Sequence, residues 1–165
     1  MDFQFSGLPL EPFKAIFVLS DDELLARGMR RYIADEKPGF PCRVTLEDAE
    51  LGEKLILLSY SHQPAEKSPY RADGPIFVRE AAAESYRNHD EIPPVLRSRL
   101  LSLRGYDKDD LIIEADVVDG MGVEAELSKF FANADVAYIH IHYARRGCFA
   151  CRVDRAENRM TANGK

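Results

Sequence analysis

Phe13, Ile16 and Phe17 recur at the spacing of one helical face behind Pro12, a residue suited to a first helical turn, and predict a short helix near the start of the chain. Ser20 followed by Glu23 has the form of a capping box ahead of Leu24 and Leu25, and Gly28 supplies the stop of a second helix. Met29 to Asp35 is expected to be extended, up to the turn that Pro38-Gly39-Phe40-Pro41 imposes. Leu55 to Leu58 is a continuous apolar run, short enough for a strand covered on both faces and placed centrally in a sheet. The polar stretch from His62 to Pro75 contains Pro64, Pro69 and Gly74 and reads as a long loop, after which Ile76-Phe77-Val78 resumes extended structure. Glu80 to Asn88 is rich in alanine and reads as a helix, closed by Pro93-Pro94.

The second half of the chain carries stronger patterns. Leu100 to Tyr106 and Leu111 to Val118 flank Asp107-Lys108-Asp109-Asp110 as an antiparallel hairpin. Val123, Leu127, Phe130 and Phe131 line one helical face, with Asp119 as the natural cap ahead of it. Val136 to Tyr143 alternates as a strand, turns through Arg145-Arg146-Gly147 and returns from Cys148 to Val153. The resulting fold class is α+β, a mixed, mainly antiparallel sheet with helices packed on one side. Residues 1–155 are expected to form one globular domain and 156–165 a disordered tail, with no repeat or linker in between.

Composition narrows the function classes. A chain of 165 residues, 45% apolar and 30% charged, can bury an ordinary core. The formal charge of -6 disfavours nucleic acid as a partner, because a phosphate backbone calls for a concentrated basic face. No run approaches the roughly 18 apolar residues of a membrane span, and the N-terminus lacks the basic and apolar segments of a signal peptide, so no membrane partner is expected. Three cysteines, an odd count, suit a reducing compartment, and the cytoplasm is the expected location. No cofactor motif is evident.

Candidate chemistry lies on the polar faces of two strands. Alternation places Tyr138, His140 and His142 on one face, against Ala137, Ile139 and Ile141 on the other. Ser102, Arg104 and Tyr106 alternate with Leu101 and Leu103 in the same way. If the two faces are continuous, they present an Arg-His-Tyr surface able to bind an anionic small molecule and to exchange protons near neutral pH, with His140 and His142 as the candidate acid-base groups. Arg79 could join it, and His62, Gln63, Tyr70 and Arg71 could form its rim. The alternatives are a solvated sheet face and a noncatalytic module in which that face, or the His62 to Pro75 loop, meets a protein partner.

Two further patterns involve the cysteines. A His-x-His pair can ligate one metal, and a two-residue turn at Arg146-Gly147 would set Cys151 opposite His142 as a third ligand, although one extra loop residue would reverse that parity. The acidic ligand and glycine spacing of a cupin metal motif are missing. Cys148-Phe149-Ala150-Cys151 has the C-x-x-C spacing of redox dithiols and zinc knuckles, which makes Cys148 a candidate nucleophile. Against it, these cysteines sit in an expected strand rather than at a helix N-terminus, and a strand points residues three apart to opposite sides.

Several segments together resemble a bacterial family known only as domain of unknown function 1203. They are Pro38-Gly39-Phe40-Pro41-Cys42-Arg43, His62-Gln63-Pro64, Ser68-Pro69-Tyr70-Arg71, Gly74-Pro75-Ile76-Phe77-Val78-Arg79, Leu100-Leu101-Ser102-Leu103-Arg104, Tyr138-Ile139-His140-Ile141-His142 and Gly147-Cys148. The resemblance runs from Phe13 to Arg155 and implies a bacterial, single-domain protein; it implies no activity, cofactor or partner. The family's usual ending has alanine where this chain has Cys151 and asparagine where it has Tyr143, which weighs against both cysteine proposals.

Overall fold

The computed structural model describes residues 3–89 and 91–156. The chain runs β1 (Phe3–Ser6), α1 (Glu11–Phe17), α2 (Asp21–Ala26), β2 (Arg30–Ile33), β3 (Lys54–Gln63), β4 (Ala72–Arg79), β5 (Arg87–Asn88), α3 (Pro94–Arg97), β6 (Leu100–Tyr106), β7 (Ile112–Asp119), α4 (Val123–Ala132), β8 (Tyr138–Tyr143) and β9 (Cys148–Arg155). The strands form two sheets rather than one: six strands in the order β5-β1-β9-β8-β6-β7, and three in the order β2-β3-β4. Every strand pairing within them is antiparallel. The fold is α+β, and the strand from Leu55 is central, but to the smaller sheet. The expected tail falls, from residue 157 on, outside the described residues.

Each sheet has its own apolar layer. On one face of the large sheet, Leu101, Leu103, Ile139, Ile141 and Val153 pack against Val95 and Leu96 of α3 and Val123, Leu127 and Phe130 of α4. Burial of each such side chain contributes about 1.5–3 kcal/mol, so this layer fixes which face of β6 and β8 turns inward. On the small sheet, Ile56, Leu58, Ile76 and Val78 pack against Phe13 and Ile16 of α1 and Leu24 of α2. The capping box at Ser20 and Glu23 forms, with Ser20 Oγ accepting from the Glu23 N–H and Glu23 Oε2 accepting from the Ser20 N–H. Asp119 caps a 3-10 turn over Gly120–Gly122 that leads directly into α4.

Two sequence expectations are corrected. Residues 80–88 are not a helix: the chain turns, and Arg87–Asn88 pair with β1. The alanine run lacks an apolar stripe, and its backbone is claimed elsewhere: Tyr86 N–H donates to Val44 O, and Gly7 N–H to Tyr86 O. The loop expected from His62 to Pro75 is only residues 64–71, because β3 runs on to Gln63 and β4 begins at Ala72. Pro75 is tolerated within β4 because β4 is an edge strand, where a missing N–H breaks no ladder bond. Sequence pattern also passed over β1, although Phe3, Gln4, Phe5 and Ser6 alternate, and α3, which starts at the second proline of Pro93-Pro94.

Candidate functional site

In the register of β6, β8 and β9, Arg104 lies opposite His140, and His140 opposite Arg152. The neighbouring rows are Ser102, His142 and Phe149, and Tyr106, Tyr138 and Asp154. Cross-strand partners share a face, so these rows form one polar surface on the side of the large sheet away from α3 and α4. The end of the β3–β4 hairpin covers part of it. The His62 ring stacks on Phe149 with centroids 5.2 Å apart and approaches His142 at 5.1 Å and His140 at 6.4 Å. Gln63 Nε2 donates to the Tyr138 hydroxyl at 2.8 Å, and that hydroxyl donates to Asp110 Oδ1 at 2.5 Å. These contacts lock the two sheets into one unit.

The covering hairpin makes the histidines an enclosed group. His140 is 3% exposed and His142 1%. Burial disfavours the imidazolium, and the neighbouring His142, Arg152, His62 and Arg104 add to this, so His140 is pushed down to about 2. Burial likewise pushes His142 down to about 3, opposed by its contact with the Gly147 carbonyl and reinforced by Arg104. His62 is lowered by desolvation first and by Arg104 second. All three rings are therefore neutral at pH 7. His142 Nδ1 lies 3.0 Å from Gly147 O, which assigns its proton to Nδ1 and leaves Nε2 with a lone pair. That Nε2, His140 Nδ1 and His62 Nδ1 are buried without a hydrogen-bond partner in the protein.

Among the predicted site residues, Arg104, Tyr106, His62, His140 and His142 come together. Tyr106 stacks on Tyr138 with centroids 5.0 Å apart and sits the same distance from His140. Arg79 does not join them. It stands at the far end of the small sheet, where Nη1 pairs with Glu47 at 2.8 Å and Nη2 with Glu53 at 2.7 Å. Arg71 is exposed in the connection between β3 and β4. The histidine and cysteine proposals separate as well. The β8–β9 turn is residues 144–147, four rather than two, which sets His142 opposite Phe149, and a bulge between Ile141 and His142 then sets Ile141 opposite Cys151. Cys151 is thus buried on the helix side, its thiol pushed up to about 12 by desolvation, and cannot complete a His-His-Cys set. Cys148 pairs with Tyr143, also on that side. No group of three His, Cys, Asp or Glu side chains among the described residues is placed to hold a metal ion.

Arg104 is the cation of this surface that no carboxylate neutralises. Among the described residues it has no ion pair, whereas Arg152, one row partner across His140, is paired with Asp154 at 2.8 Å and lies over the Tyr138 ring at 3.8 Å. Sequence pattern missed Asp110, Phe149 and Arg152 as parts of the site; only the strand return from Cys148 could have indicated the last two. It also missed Arg43, which is buried on the other side of the sheet. Arg43 Nε donates to Phe149 O at 2.7 Å and Nη1 to Pro41 O at 2.5 Å, and its guanidinium lies 4.9 Å from the Tyr143 ring centroid.

A separate cleft of about 570 Å³ lies at the small sheet, lined by Phe17, Asp21, Arg31, Ile33, Lys54 and Glu80. Its arginine is spoken for, since Arg31 pairs with both Asp21 and Glu80. The uncompensated charge and the orphaned ring nitrogens make the Arg104 surface the stronger candidate.

No helix among the described residues is long and apolar enough to cross a membrane. A family model described as "Protein of unknown function (DUF1203)" matches residues 39–155, which include Arg104 and all three clustered histidines. No curated protein matches the chain, and no solved structure does.

Proposed function

We propose that this chain, which belongs to the DUF1203 family, binds an anionic small molecule at Arg104 beside the buried histidine cluster. The observation that carries the reading is the guanidinium of Arg104, which no carboxylate meets among the described residues, on a face whose histidines are neutral. A partly exposed guanidinium with no carboxylate beside it can take a bound anion as its ionic partner through bidentate hydrogen bonds. Ser102, two residues away on the same face, offers a hydroxyl to the same ligand. His140 and His142 are too enclosed to meet it directly, and act as the neutral floor that leaves the charge of Arg104 undiluted. The reading is one of recognition; it assigns no reaction. The three cysteines are free, in keeping with the expected cytoplasmic setting.

Thermal unfolding against acetate, citrate, inorganic phosphate and other simple anions tests it, since a ligand selective for the native state raises apparent stability. Arg104→Ala should keep the unliganded melting temperature close to that of the parent, because no carboxylate is left stranded, and should weaken binding roughly ten- to a hundredfold, the value of about 1.5–3 kcal/mol for a charged hydrogen bond. Stabilisation that is indifferent to Arg104 sinks the proposal. A protein-interaction role for the same face would then be favoured, since side chains of β7 beside it are exposed.

A further inference from the structure

The covering β3–β4 hairpin lies over β8 and reaches the Tyr106 end of β6, where Ser68 Oγ donates to Asp110 O and Tyr106 is buried; past Tyr106, at Arg104 and Ser102, the polar face is only partly covered. There the composition changes. Ala115 lies opposite Arg104 and Val117 opposite Ser102, and Ile113 follows in the same alternation toward the bulge near Tyr106. With Leu100 they form a ledge around Arg104 that is largely apolar, and its large side chains face solvent: Val117 is 56% exposed, Leu100 44% and Ile113 39%. Diagonal neighbours across an antiparallel pair lie within reach of long side chains, so one small molecule can touch Arg104 and both Ile113 and Val117.

We infer that the ligand is an amphipathic carboxylate, its anionic end held by Arg104 and its apolar body lying over Ile113, Ala115 and Val117. This rests on the anion-binding reading and specifies its substrate class. Charge complementarity selects the head: the cation beside the apolar row has no carboxylate of its own. Size selects a small molecule over a protein. The row is a few side chains long, far short of the roughly 800 Å² per partner of a specific protein interface. Addition of a further strand at the β7 edge is also disfavoured, because the Val117 N–H is already engaged by Asp116 Oδ1 at 2.7 Å.

Titration calorimetry on the full chain with acetate, butyrate, hexanoate and octanoate separates the outcomes. Affinity is expected to rise about two- to fourfold per methylene as the chain covers the ledge, the upper value being that of a fully buried group. Ile113→Ser combined with Val117→Ser should flatten this dependence while acetate binding is unchanged; both side chains are exposed, so the variant should fold. Arg104→Ala should weaken binding of every member by the same roughly ten- to a hundredfold. Arg104-dependent binding with no chain-length dependence would overturn the amphipathic ligand and leave the anion site standing. A chain-length dependence that survives the double substitution would overturn the ledge. No Arg104-dependent binding of any carboxylate or of phosphate would remove both. Dimerisation of the parent chain that the double substitution abolishes would assign the ledge to a second copy instead.

Discussion

Acidification between pH 7 and 5 should destabilise this protein through its buried histidines. An imidazole of ordinary pKa 6.5 in the unfolded chain takes up a proton across this range, whereas His140, pushed down to about 2, and His142, to about 3, stay neutral in the folded one. The unfolded state then binds more protons, so stability rises with pH up to about 6.5 and is lost as the pH falls below it. At pH 5 each histidine lies about 1.5 pH units below its unfolded pKa, which at 1.36 kcal/mol per unit is about 2 kcal/mol, and about 4 kcal/mol for the two. His62, also lowered, acts in the same direction. Against a typical total of about 5–15 kcal/mol this is a large fraction. Urea unfolding at pH 7 and pH 5, with the denaturant slope compared at both, measures it. His140→Phe keeps a ring among Tyr106, Tyr138 and Phe149, removes the orphaned Nδ1 and should halve the loss. A loss below about 1 kcal/mol in the parent protein, or an undiminished loss in His140→Phe, would refute the enclosure of this cluster.

Arg43→Ala should destabilise by roughly 3–6 kcal/mol in chemical denaturation, the worth of two charged hydrogen bonds to the carbonyls of Phe149 and Pro41. Arg43→Lys should not restore it, because a single ammonium cannot match a planar fork aimed at two carbonyls. Gly120→Ala should cost about 1–3 kcal/mol or more, as its Cβ would fall 2.0 Å from Leu96 O and force α3 away from the turn that leads into α4; an unchanged melting temperature would contradict that close approach.

Patterns confined to one strand were legible in the sequence, while whatever depended on packing between distant segments was not. The two-residue period of β6 and β8 places Arg104 and the histidines correctly by face, because the apolar half of each strand must meet α3 and α4. The residue opposite His142 is different. It depends on the length of the β8–β9 turn, four residues rather than two, and a bulge beyond it moves Cys151 to the helix side. The reach of β3 was hidden for a related reason: its outer half, from Ser59 to Gln63, has no apolar run, and it is held by β4 and by Gln63 against Tyr138 rather than by a hydrophobic stripe.

Strand order has the largest consequence for function. Arg104 and His140 are equivalent in the sequence pattern, each a polar residue between apolar neighbours. In the sheet, His140 on β8 lies under the hairpin end, whereas Arg104 on β6, one strand from the edge, is only partly covered. His140 consequently loses water and with it the capacity to carry charge, while Arg104 keeps both solvent access and a charge that no neighbour neutralises. One face of one sheet is thereby divided into an enclosed part, whose histidines are neutral and which holds the two sheets together, and a more open part that carries the charge of Arg104.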